Sequence, residues 1–261
     1  IVKSKNTSRS LIGRLAKISV DSIYLIKLYC KTVSSIINAI KVLCMMNRIV
    51  KMPKFLVLLF FVEMWERFSY YGMRALLVLF LTSQLGFEDP QAYAIYSLFA
   101  ALCYLGPIIG GYLADRYTGF RSLVLLGSAV LVGGHALMAI SVIHDQLFFI
   151  GLGMIAVGSG LFKGNIANLL GCCYKADDPE RERGFTLFYV AINLGGFIAG
   201  IACGYVAHLS GWHYGFGLAG IGMVAGLLVF LRFQYLLEDH GLKPSQPSTT
   251  NSLPLHKVIN E

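Results

Sequence analysis

Two glutamates and two arginines fall within the segment Glu63-Met64-Trp65-Glu66-Arg67-Phe68-Ser69-Tyr70-Tyr71-Gly72-Met73-Arg74, inside an apolar stretch that runs from about Phe55 to Leu81. About 20 apolar residues are enough to cross a bilayer as a helix. A charge at the centre of such a helix costs about 2.5–3.5 kcal/mol on insertion scales. At about 100° per residue, Glu63, Glu66, Arg67, Tyr70 and Arg74 share roughly a third of the helix circumference, and Leu, Val, Phe and Met cover the rest. The stripe has no net formal charge. It suits a polar cavity or neighbouring helices, not lipid. Two uses fit it: ion pairs that only hold a bundle together, or an ion or substrate path, which is the default reading of intramembrane charge.

Three further polar groups stand in apolar stretches: Tyr104, Lys163 within Gly158-Ser159-Gly160-Leu161-Phe162-Lys163-Gly164-Asn165, and Asn193. Counted from the ends of their spans, Glu63, Tyr104, Lys163 and Asn193 lie about eight or nine residues in, or roughly 12–14 Å deep at 1.5 Å per residue. Four polar groups at one depth point to a central cavity near the membrane midplane, where transporter sites tend to lie. Lys163 is the natural partner for Glu63 or Glu66, since a lysine in mid-span needs one. A carboxylate whose lysine partner comes and goes takes up and releases a proton. Asn193 fits a helix-to-helix hydrogen bond and a ligand contact equally well.

The elements that must position these groups are membrane helices. Of 261 residues, 56% are hydrophobic and 14% charged, which is too apolar for an ordinary soluble domain. Six spans are predicted, at about 55–81, 91–113, 121–142, 147–172, 184–208 and 214–237, giving an all-α membrane bundle. The loops near 82–90, 143–146 and 209–213 contain no Lys or Arg, whereas the opposite loops contain Arg116, Arg121, Lys175, Arg181 and Arg183. The positive-inside rule then places both termini in the cytoplasm. It also accounts for the net charge of +8 without nucleic acid. Gly106/Gly110, Gly160/Gly164, Gly196/Gly200/Gly204 and Gly222/Gly226 have the small-xxx-small spacing of closely approaching helices.

The ends of the chain differ from this body. Residues 1–51 form a basic extension in which Lys17, Lys27, Lys31, Lys41 and Arg48 interrupt the apolar runs. It reads either as an amphipathic helix on the membrane surface or as upstream sequence ahead of a start at Met52 or Met45-Met46. Residues 52–240 are the bundle. Residues 241–261 are a polar tail or the start of a linker. The six cysteines (Cys30, Cys44, Cys103, Cys172, Cys173, Cys203) have no metal-site spacing and read as small apolar residues. No cofactor and no metal is implied. No nucleophile–base pair stands out, so the chain does not read as an enzyme.

Three motifs carry a family resemblance. Glu63-x-x-Glu66-Arg67-Phe68-x-Tyr70-Tyr71-Gly72 resembles the first-helix motif of the proton-dependent oligopeptide transporter family, a branch of the major facilitator superfamily. Gly111-Tyr112-Leu113-Ala114-Asp115-Arg116-Tyr117-Thr118-Gly119-Phe120-Arg121 resembles the superfamily's loop between helices two and three. Its Asp115, Arg116 and Arg121 suit a cytoplasmic gate latched by ion pairs and cap bonds. Phe185 to Gly196 resembles the family's second signature. The Gly158–Asn165 stretch is similar to the family's Gly-x-Gly-x-x-Lys motif, with Gly164 where a proline often stands, so a local bend is expected there.

The resemblance covers about residues 53–240, the N-terminal six-helix half of a twelve-helix, bacterial-like family. It implies proton-coupled symport of di- and tripeptides across a plasma (inner) membrane. It assigns Glu63, Glu66, Arg67 and Lys163 to proton coupling and recognition of the peptide carboxylate. It assigns Tyr70, Tyr71, Arg74, Tyr104, Asn165 and Asn193 to the peptide pocket. The opposing wall is expected from a C-terminal six-helix half, so the chain reads as a fragment of a transporter. The alternatives are a non-transporting truncated membrane protein or assembly partner, and a family member carrying another small anion such as nitrate.

Overall fold

A computed structural model describes residues 52–243, so the basic extension at 1–51 and the tail beyond 243 lie outside the described residues. The described chain forms six long helices: α1 (Lys54–Ser83), α2 (Asp89–Leu113), α3 (Phe120–Ile140), α4 (Asp145–Cys172), α5 (Glu180–Ser210) and α6 (Trp212–Phe233). Five of them are long and apolar enough to cross a membrane, those beginning at Asp89, Phe120, Asp145, Glu180 and Trp212. α1, at 30 residues, exceeds the length a bilayer needs, but Glu63, Glu66, Arg67 and Arg74 interrupt its apolar run and it is not among the five.

The breaks between helices follow turn chemistry. Pro53 precedes α1. Glu88 and Gln91 form a capping box at the start of α2. α2 runs on through a π-helical turn, Ala114–Thr118. Gly119 then reverses the chain at φ 81°, and Gly211 does the same between α5 and α6 at φ 108°. These are backbone conformations that side-chain-bearing residues rarely adopt.

α1 packs against α5 and α6, α4 packs against α2 and α3, and α3 against α6 joins the two groups. Close approach depends on glycine where α2 crosses α4. A Cβ at Gly106 would meet the Gly160 Cα at 2.8 Å, and backbone cannot yield. Gly222 and Gly226 lie against Phe68, Trp65 and Val62 of α1 in the same way. Gly200 and Gly204 do not follow the expectation: both face open space, because they lie on the uncovered side of α5. Phe80, Phe148 and Phe216 form an aromatic knot joining α1, α4 and α6, with ring centroids 4.6–5.7 Å apart. Of the described cysteines, Cys103 and Cys203 are buried small apolar residues, while Cys172 is exposed; all four are unpaired.

The outer faces of α2 and α5 stay bare. Leu98, Tyr104, Ile108 and Tyr112 on α2, and Tyr189, Phe197, Ile201 and Tyr205 on α5, are large and exposed.

Candidate functional site

The charged stripe of α1 faces inward. Glu63, Glu66, Arg67 and Tyr70 are all buried, Glu66 with 1% of its surface exposed. Helical spacing brings Glu63 and Arg67 together as an i,i+4 pair, with Arg67 Nε 2.9 Å from Glu63 Oε1. The same nitrogen also touches Glu66 Oε2. These are charge contacts without hydrogen-bond alignment, and Glu63 Oε2 and both Glu66 carboxyl oxygens are buried with no hydrogen-bond partner among the described residues. Buried carboxyl oxygens left this way have acceptor capacity to spare.

Lys163 does not sit where charge pairing alone would put it. Its Nζ lies 3.7 Å from the centroid of the Tyr70 ring and 5.7 Å from that of Tyr104. The physical reason is on α1. The Tyr70 ring presents its π-face to the ammonium, while Arg67 makes the close contacts with both carboxylates. Arg67 also lies within cation–π range of that ring, its Cζ 5.7 Å from the centroid. Two cations from different helices thus share one tyrosine, a turn away from two carboxylates.

Arg74 lies one turn further along α1, where its Nε donates to the Tyr96 hydroxyl and its Cζ is 5.4 Å from the ring centroid. Tyr71 is half-buried and packs edge-on against Tyr70. Tyr104 is 71% exposed. Asn193 is exposed as well, with its amide donating to the Tyr189 carbonyl of its own helix at 2.9 Å. Asn165 departs from the expected pocket position. It is fully buried, donates back to the Leu161 carbonyl at 2.7 Å, and keeps Oδ1 buried without a hydrogen-bond partner. α4 continues as one helix through Gly164, which lies against Pro107 of α2.

The loop at the other end of the bundle is fastened differently from the expected ion-pair latch. Asp115 and Arg116 are exposed, and Arg116 lies over the Tyr117 ring. Arg121 holds neutral partners: its Nε donates to Gln234 Oε1 at 3.2 Å and its Nη1 to the Glu238 carbonyl at 3.0 Å. The Arg121 backbone N–H donates to the Gly241 carbonyl at 2.9 Å. The segment after α6 is thereby strapped over the start of α3.

One participant is not marked by the sequence. Tyr96 receives Arg74, and nothing in the spacing of α2 singles it out. The Glu63–Arg67 contact, by contrast, was available from the i,i+4 rule.

Comparisons with known proteins agree with this architecture. The POT family model matches residues 121–258, more than half of the chain. The dipeptide and tripeptide permease A of Erwinia pyrifoliae is 39% identical over 194 residues, which is 74% of this chain and 39% of that protein. The peptide transporter YePEPT of Yersinia enterocolitica is 45% identical over 181 residues, 67% of this chain and 35% of that protein. The chain therefore spans well under half the length of these relatives. Among solved structures, a peptide transporter POT in complex with sulfate is 40% identical with a TM-score of 0.72, covering 76% of this chain and 42% of the other. A POT family transporter in complex with 5-aminolevulinic acid is 38% identical with a TM-score of 0.73, covering 77% and 42%. By the breadth of that family match and the bundle it describes, the chain belongs to the POT family.

Proposed function

We propose that the chain is the N-terminal six-helix half of a proton-coupled symporter for di- and tripeptides, a carrier and not an enzyme. The observation that supports this most directly is the buried cluster of Glu63, Glu66 and Arg67 beside Lys163 and Tyr70. α1 crosses the membrane as the sixth span, its charges turned away from lipid. A proton reaching Glu63 or Glu66 loosens the hold on Arg67, and a peptide carboxylate competes for the freed cations of Arg67 and Lys163. Arg74, Tyr70, Tyr71, Tyr104 and Asn193 line the peptide's path. Both termini lie in the cytoplasm of a bacterial-like cell, and Asp115, Arg116 and Arg121 border the cytoplasmic gate. The bare faces of α2 and α5 are covered by a second helical half, supplied by the part of the relatives' length that this chain does not span.

The test is uptake of a labelled dipeptide into proteoliposomes under an inward proton gradient. The chain is reconstituted alone and joined to the second half of YePEPT. Gradient-driven accumulation by the joined protein, lost in Glu63→Gln, is the expected result. A folded joined protein that accumulates nothing overturns the reading and leaves a non-transporting assembly partner in its place.

A further inference from the structure

Ser69 Oγ of α1 and His135 Nε2 of α3 form a buried hydrogen bond of 2.7 Å. Ser69 and His135 are each 1% exposed. Buried serines in helices commonly donate back to a carbonyl one turn earlier, as Ser128 does to the Val124 carbonyl at 2.7 Å. Ser69 turns instead to another helix. The two helices share no packed face; both lean on α6. The imidazole thus reaches past α6, where Gly220 leaves it room: a Cβ at Gly220 would stand 3.1 Å from that of His135. No charged side chain forms an ion pair with His135 among the described residues. Its Nδ1 is buried without a hydrogen-bond partner, a cost that an apolar side chain would not carry. The gain from histidine must therefore lie in the bond to Ser69.

Ser69 sits between Arg67 and Tyr70 in the chain, about 100° around the helix from Tyr70. A bond at that point resists rotation of α1 about its own axis. We propose that His135 is a positioning residue: through Ser69 it fixes the rotational setting of α1, and with it the directions in which Glu66, Arg67 and Tyr70 point. This rests on the reading of that cluster as the proton site.

The experiment is solid-state NMR of the full chain in lipid bilayers with isotope-labelled arginine. The Arg67 side-chain resonance is assigned by its loss in Arg67→Lys, and Arg121 serves as an internal reference. His135→Phe and Ser69→Ala are expected to move the Arg67 resonance in the same direction and to leave Arg121 in place. His135→Gln, whose amide can donate or accept at a similar reach, returns it towards the wild-type position. Ser69→Ala removes a single hydroxyl and decides the matter if His135→Phe does not fold. An Arg67 resonance unmoved by either variant, or one that moves only together with Arg121, overturns the positioning role. A wild-type Arg67 resonance that stays constant across an acid-to-neutral pH series removes the proton reading itself, and the inference falls with it.

Discussion

Arg67 and Arg121 are both tied down on more than one side, but by opposite kinds of partner. Arg67, within the bundle, has two carboxylates. Arg121, at the start of α3, has an amide oxygen and a backbone carbonyl. The difference follows from water. In the interior a guanidinium cannot be solvated, so only formal counter-charge offsets the cost of burying it. At the border water covers whatever the neutral acceptors leave, and geometry matters more than charge. The interior site is consequently sensitive to charge balance and the border site to shape. Activity that works by moving a proton fits the first and not the second.

The largest effect should come from unbalancing the interior. Arg67→Met leaves two buried carboxylates with no cation in ion-pair contact, Lys163 lying over the Tyr70 ring, and should cost about 3–5 kcal/mol, as breaking buried pairs does. Thermal unfolding in detergent micelles measures it. The triple change Glu63→Gln, Glu66→Gln, Arg67→Met removes the whole set and should recover most of the loss. A triple variant as unstable as the single one would show that packing, not charge balance, holds the site.

Arg121→Ala should cost less, about 1–2 kcal/mol for two side-chain hydrogen bonds at a partly wet site. The effect should be local, freeing the Gln234–Gly241 strap while the bundle stays closed. Hydrogen exchange of the strap amides reads this directly. Arg121→Lys should recover little, because the ammonium's donors leave a single nitrogen and do not match acceptors set for Nε and Nη1 of a planar guanidinium. Full recovery with lysine would mean that the border site, too, runs on charge, and the contrast with Arg67 would fail.

The sequence made the helices legible because lipid imposes one rule along the whole chain. The stretch read as 55–81 is Lys54–Ser83, and that read as 121–142 is Phe120–Ile140. α5 was read short, at 184–208, since its first turn is Glu180-Arg181-Glu182-Arg183; apolarity marks where the bilayer begins, not where the helix does. Lys163 and Tyr104, which the count along their spans sets at one depth, come within cation–π reach. Direction around the axis was less legible. Lys163 is expected on the glutamates and lies over Tyr70, while Arg67, which shares their helix, makes the close contacts with both carboxylates. Asn165 turns inward and Asn193 outward, each donating to a carbonyl of its own helix. The Ser69–His135 bond joins residues on helices that barely touch, so no periodicity could announce it.

The smallest effect tests the comparison from outside both regions. Arg183 and Glu180 form an i,i+3 pair on α5, with Arg183 Nη1 3.1 Å from Glu180 Oε2 and both side chains more than half exposed. Arg183→Ala should change stability by no more than about 0.5 kcal/mol. That small loss should vanish in high salt, because exposed charges are screened over a few ångströms at about 1 M. The loss on Arg67→Met should persist under the same conditions, since ions do not enter the space between buried side chains. Comparing the two variants' unfolding temperatures across a salt series therefore separates them. If salt erased the Arg67 effect as well, water would have to reach Glu63 and Glu66, and the dry interior on which the proposed proton chemistry depends would not exist.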